Sequence, residues 1–146
     1  TGFGEPIQKL FKMKDGEKIV TAISFDARVI GEFREDPKNV DYCPSCHALA
    51  ASTNGFALRF SFEPFAETST RTGRRFARVT GNASIVSVVP VDGTENLLAV
   101  SRACRAMICA VEEINYLSGA GKGVTLIRLA AGDELLGFKA STGDRG

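Results

Sequence analysis

Two stretches of the chain repeat one another in the same order, and that constrains the fold more than any other feature. The first runs from about His47 to Asp92 and the second from about Asn96 to Ser141. Ala51-Ser52-Thr53-Asn54-Gly55-Phe56-Ala57-Leu58-Arg59-Phe60 matches Val100-Ser101-Arg102-Ala103-Cys104-Arg105-Ala106-Met107-Ile108-Cys109. Gly73-Arg74-Arg75-Phe76 then matches Gly121-Lys122-Gly123-Val124, and Ile85-Val86-Ser87-Val88 matches Leu135-Leu136-Gly137-Phe138. A spacing of about 50 residues is the signature of stacked units such as propeller blades. A unit of that size cannot bury its apolar face alone and needs neighbours.

A third, partial copy opens the chain. Gly4-Glu5-Pro6-Ile7 stands where Gly121-Lys122-Gly123-Val124 stands, and Asp15-Gly16-Glu17-Lys18-Ile19-Val20 matches Ala131-Gly132-Asp133-Glu134-Leu135-Leu136. The first residue is Thr1, not a start methionine. The expected organisation is a piece of a larger array. It divides into a partial blade over 1–30, an exposed polar linker over 31–46, a blade over 47–93, and a blade with a C-terminal tail over 94–146. The fold class that follows is all-β, a propeller-like fragment of roughly two and a half to three blades.

The local patterns are mainly those of strands. Asn54-Gly55 between Ala48–Ser52 and Phe56–Phe60 predicts a hairpin, because both residues tolerate positive φ. Phe56, Leu58 and Phe60 fall on one face of the second arm, with Ala57 and Arg59 on the other. In the next copy, Leu97–Ser101 and Arg105–Cys109 form the arms around Arg102-Ala103-Cys104. Further strands are expected at Phe76–Val79, Ile85–Val91, Val124–Leu129 and Leu135–Lys139, with Ile19–Phe25 and Val86–Val89 as inner strands. Single helical turns are expected near Phe62–Phe65, where Pro64 limits the helix, and within Ala110–Leu117. The phenylalanines, with no tryptophan beside them, are read as core filling.

No apolar run reaches the length of a membrane span, and no signal-peptide pattern opens the chain. The net charge is +1. That excludes a wholly basic binder of nucleic acid but leaves room for a basic stripe. Such a stripe is present. Arg71, Arg74, Arg75 and Arg78 fall close together with no acid among them. The loop Ser69-Thr70-Arg71-Thr72-Gly73-Arg74-Arg75 combines guanidinium forks, hydroxyl donors and a glycine that lets backbone approach, which suits phosphate. The alternative is a solvated loop paired with Glu63 and Glu67. One repeat later, Ser118-Gly119-Ala120-Gly121-Lys122-Gly123 again sets a cation among glycines. This is not a nucleotide-binding P-loop, because Gly123 stands where Ser or Thr must follow Gly-Lys.

The other candidate chemistry is weaker. Cys43-Pro44-Ser45-Cys46-His47 matches a haem-attachment pattern in letters, with neither secretory context nor a second axial ligand. Zinc at Cys43 and Cys46 needs two more ligands, for which Cys104, Cys109 and His47 are the candidates, and no second C-x-x-C exists. The expectation is therefore no metal, no cofactor, and reduced thiols with Cys104 and Cys109 as small core residues. No catalytic constellation is visible. His47 has no motif linking it to a serine or an acid, and Glu112-Glu113 are adjacent and point apart.

These residues resemble the C-terminal domain of the A subunit of bacterial type IIA DNA topoisomerases, DNA gyrase and topoisomerase IV. Leu97-Leu98-Ala99-Val100-Ser101 to Ile108, Gly119-Ala120-Gly121-Lys122-Gly123-Val124 and Gly132-Asp133-Glu134-Leu135-Leu136-Gly137-Phe138 carry the likeness. Gly4 to Phe11 and Phe62 to Phe76 look like divergent members. The resemblance implies a β-pinwheel, a ring of about five or six strand-exchanging blades, whose basic rim binds and bends duplex DNA without sequence preference. It implies partners in duplex DNA, the remainder of the A subunit and the ATPase B subunit, with no membrane. It implies a place in the bacterial cytoplasm at the nucleoid, and membership of an ATP-dependent isomerase of DNA topology.

The heptapeptide Gln-Arg-Arg-Gly-Gly-Lys-Gly that serves wrapping in gyrases is matched only at its Gly-Lys-Gly end, by Gly121-Lys122-Gly123. That departure points towards topoisomerase IV, unless the heptapeptide lies in a blade outside this sequence. The catalytic tyrosine of the family lies in another domain, so neither Tyr42 nor Tyr116 takes that role. The expected DNA contacts are Arg71, Arg74, Arg75, Arg78 and Lys122, with Arg59, Arg102, Arg105 and Arg128 as further cations. The competing reading is a propeller-like protein-interaction module that uses exposed Phe62 and Phe65.

Overall fold

The computed structural model describes residues 2–30, 47–67 and 73–143. The expected linker over 31–46 lies outside them. In chain order the elements are α1 (Ile7–Leu10), α2 (Ala27–Ile30), β1 (His47–Ser52), β2 (Phe56–Ser61), α3 (Glu63–Ala66) and β3 (Ile85–Val91). There follow β4 (Asn96–Ser101), β5 (Ala106–Ala110), a 3-10 turn (Val111–Glu113), β6 (Val124–Thr125) and β7 (Leu135–Ser141). The strands form two sheets, ordered β3-β1-β2-β6 and β5-β4-β7.

The two repeats share one topology, strand for strand. β1 pairs antiparallel with β2, from His47↔Ser61 to Ala51↔Ala57, and β4 pairs with β5, from Asn96↔Ala110 to Val100↔Ala106. The outer strand returns to the first arm in both cases: His47↔Val91 in one repeat, Asn96↔Ser141 in the other. Even the irregularity recurs, between Ala51 and Ser52 and again between Val100 and Ser101. A bulge kept at matching positions is a built feature of the unit.

The turns show how sequence sets this geometry. Gly55 adopts φ 81, and its N–H donates to Ser52 O at 2.9 Å. A residue in the left-handed region closes a short hairpin loop, and glycine does so without a Cβ penalty. In the second repeat that place is taken by Cys104, with φ 59 and the equivalent bond from its N–H to Ser101 O at 3.0 Å. The repeat imposes the conformation even where the residue resists it. Cys104 is exposed, against the expectation of a core thiol, while Cys109 is half-buried against the first core cluster.

The core lies between and beside the sheets. One cluster joins Leu49, Ala51, Ala57 and Val91 of the first sheet to Leu97, Ala99 and Leu135 of the second, with Val111, Ile114, Leu126 and Ile127. The opposite face of the first sheet, Ala48, Ala50, Leu58, Phe60 and Val88, packs with Ile30, Phe62, Ile23 and Phe76. The period of two along β1 thus serves two cores, and all six of its positions are buried. Phe60 stacks on Phe76 with ring centroids 4.6 Å apart and meets Phe65 edge-on at 5.6 Å. Phe62 is buried and Phe65 half-buried, so both serve the core and are not an exposed docking pair. By contrast, Leu98, Ile108 and Leu136 leave an apolar face of the second sheet open.

The units exchange strands. β6 follows β5 in sequence but pairs with β2 of the first repeat, through Phe56↔Thr125 and Ala57↔Val124. Parallel bridges Arg59↔Tyr116 and Ala77↔Gly121 extend the crossing. Three strand expectations differ from what is found. Ile19–Phe25 is not a strand. It corresponds to the outer strand that returns to its own hairpin, and the described residues contain no hairpin for it. Phe76–Val79 is reduced to the bridge at Ala77. Val124–Leu129 is a strand only over Val124–Thr125, because Leu126 and Ile127 turn into the core and their N–H groups donate to Gly55 O at 2.8 and 3.3 Å.

Candidate nucleic-acid interface

The crossing segment 121–125 explains the glycines around Lys122. Gly123 sits at φ 79 against β2, where an added Cβ would lie 2.1 Å from Ala57 O. At Gly121 an added Cβ would lie 2.6 Å from Leu117 Cδ1. Gly121 O accepts the Arg78 N–H at 2.7 Å. The Gly-Lys-Gly run is thus a segment leading into β6 that must approach its neighbours closely. It holds Lys122 at the seam between repeats, with its Nζ 4.0 Å from the centroid of the Phe56 ring.

Around that seam the structure gathers several of the expected cations. Lys122 and Arg78 line a shallow cleft with Asn54, Phe56, Ala77, Val79, Thr80 and Ile85. Arg74 and Arg75 line an adjoining open depression of about 460 Å³ that shares Ala77, Val79 and Ile85 with it. Among the described residues no acidic side chain lines either one. All four cations are exposed, and Arg74 is braced by a hydrogen bond from Nη1 to Pro64 O. Arg71 lies outside the described residues. Asn54 and Thr80 add polar donors to the same surface, with Asn54 Nδ2 3.4 Å from Thr80 Oγ1. Neither they nor Phe56 stood out in the sequence, where only charge marks a phosphate site.

The second repeat presents a different balance. Arg105 and Arg128 flank a groove of about 430 Å³ with Ala106, Met107 and Thr125. Two arginines of this repeat, Arg102 and Arg105, have acids nearby. Arg102 Nε lies 3.3 Å from Glu134 Oε2. The Asp133 carboxyl is held below its ordinary range, chiefly by a hydrogen bond from Ser101 and against the effect of burial. Backbone bonds from Ala103 and Glu134 and the charge of Arg105 lower it further. The field of these cations is partly cancelled before any ligand arrives.

Arg59 corrects an expectation. It is not on the rim but 8% exposed. Its Nε donates to Ile114 O at 2.6 Å, its Nη2 donates to Glu112 O at 3.1 Å, and its Nη1 lies 3.2 Å from His47 Nε2. Guanidinium has only donors, so His47 Nε2 accepts. A side chain of the first repeat thereby holds the 3-10 turn of the second. Such a group is in no position to meet a phosphate outside.

Cys43 and Cys46 lie outside the described residues, and among the described residues no three His, Cys, Asp or Glu side chains converge. Burial raises the Cys109 thiol pKa, with Glu113 adding to it. No helix among the described residues is long and apolar enough to cross a membrane.

Stacked sheets of one topology that lend a segment across their seam define a propeller-type repeat domain. The chain belongs to the family of the DNA gyrase C-terminal domain, beta-propeller, whose sequence model matches residues 1–26, 47–92 and 108–141. Among solved structures it is similar to the C-terminal domain of DNA topoisomerase IV, with TM-score 0.76 and 18% identity over 95% of this chain and 39% of that one. It is similar to the DNA gyrase A C-terminal domain, with TM-score 0.69 and 18% identity over 95% and 41%. It is also similar to the C-terminal domain of E. coli ParC, with TM-score 0.70 and 21% identity over 95% and 52%. The chain therefore spans from 39% to 52% of the length of these structures. No curated protein matches it.

Proposed function

We propose that this domain binds duplex DNA without sequence preference through the seam-side face of the first repeat, as part of the A subunit of a type IIA topoisomerase. One observation carries the reading: Arg74, Arg75, Arg78 and Lys122 share adjoining surfaces that no acid among the described residues lines. Cations at such a face displace condensed counterions from phosphates and hold a bent segment by its backbone. In this reading the domain presents DNA to a cleavage core elsewhere in the subunit, which works with an ATPase B subunit.

The experiment is a salt titration of duplex binding. Replacing Arg74, Arg75 and Arg78 with Ala should weaken binding about equally for unrelated sequences. The slope of log K against log salt should shrink by roughly 0.9 for each phosphate that the protein no longer neutralises. Stability should move by at most about 1 kcal/mol per site, because these side chains are exposed. Unchanged affinity and slope would overturn the assignment.

A further inference from the structure

We propose that Phe56 is a positioning residue for Lys122, and that the pair forms with Arg78 a phosphate contact that neither repeat supplies alone. The proposal rests on the DNA-binding reading and gives an uncharged side chain a role in it.

Phe56 opens β2 of the first repeat, while Lys122 belongs to the crossing segment of the second. The Lys122 Nζ stands 4.0 Å from the ring centroid. The face of an aromatic ring is negative and attracts an ammonium group there. The lysine backbone is fixed on both sides, by the Arg78 N–H bond to Gly121 O at 2.7 Å and by the pairing of Val124 with Ala57. Both ends of the side chain are thus placed by contacts with the other repeat. A free surface lysine gives up its rotamer freedom when it meets a phosphate, and that loss weakens binding. Here part of the freedom is already gone in the folded protein.

The ring occupies one side of the ammonium. The group carries three donors, so others stay available to a phosphate oxygen. Arg78, Asn54 and Thr80 line the same cleft.

The test compares the full chain with Phe56→Leu, Phe56→Tyr, Lys122→Ala and the double variant Phe56→Leu/Lys122→Ala, on a labelled random-sequence duplex. Phe56→Leu should weaken binding about two- to fivefold, the worth of an exposed cation–π contact. Phe56→Tyr should restore it. In the Lys122→Ala background Phe56→Leu should have no further effect. The upfield ring-current shift of the Lys122 ε-protons, read by NMR, should vanish in Phe56→Leu while the fold persists. Equal loss in both backgrounds would show that the ring acts only on the fold and would overturn the proposal, as would a silent Phe56→Leu. A silent Lys122→Ala would overturn it too, and the arginine variants would then decide the wider reading separately.

Discussion

Replacing Arg59 should damage the fold and not the DNA surface. In Arg59→Ala the strand itself survives in principle, because the backbone bonds from Arg59 N–H to Asn115 O at 2.9 Å and from Leu117 N–H to Arg59 O at 2.8 Å need no side chain. What disappears is the fork that ties the two repeats. Ile114 O and His47 Nε2 lose a donor in buried surroundings, whereas Glu112 O is partly open to water. A buried acceptor left without a donor costs about 1–3 kcal/mol. The Ile114 carbonyl and the partly solvated Glu112 carbonyl together give about 2–4 kcal/mol. Removing the buried guanidinium also relieves its own desolvation, which offsets part of that. The expected net loss is about 1–3 kcal/mol, a sizeable share of the roughly 5–15 kcal/mol that holds a domain of this size.

Urea denaturation followed by circular dichroism measures this directly. Arg59→Lys should recover little, since one ammonium cannot span the fork. Under conditions where the variants stay folded, the salt dependence of DNA binding should match that of the unaltered chain. Unchanged stability in Arg59→Ala, together with a shallower salt slope, would refute the clamp and return Arg59 to the rim.

Two further outcomes follow from the seam and the turns. Gly123→Ala should cost about 2–4 kcal/mol, because it combines a left-handed backbone with a Cβ driven into Ala57 O; Gly132→Ala, with similar φ but nothing within 4 Å, should cost only about 1–2 kcal/mol by the same denaturation assay. Cys104→Gly should raise stability by about 1 kcal/mol, because Cys104 holds φ 59 where its counterpart is Gly55; a lower unfolding midpoint would refute that.

The readable part of this chain is the part that one repeat determines by itself. The Asn54-Gly55 hairpin, the outer strands β3 and β7, and the spacing between copies all follow from local pattern, and the pairing of His47 with Val91 and of Asn96 with Ser141 reproduces it. The errors fall where a residue answers to another unit. Val124–Leu129 has the composition of a long strand, yet Leu126 and Ile127 bend inward to meet the Gly55 turn. Ile19–Phe25 has strand propensity without a ladder to join, and propensity alone forms no sheet. Arg59 has the right charge for a phosphate contact, and nothing in its own repeat reveals that the turn at Glu112–Ile114 will close over it.

The seam also explains why the repeats have diverged where they have. Some matching positions keep the same residue in both units: Ala50 and Ala99 are both alanine, and both are buried. A position that faces the neighbouring unit must match whatever that neighbour brings. Arg59 meets the 3-10 turn of the second repeat, and Phe56 meets Lys122. Arg74 and Lys122 hold matching positions in the repeat, and the stacking of the units is what brings Lys122 beside Phe56 and Arg78. Moving the unit that carries Lys122 away from the unit that carries Phe56 and Arg78 would dismantle the contact while leaving every residue of it in the sequence.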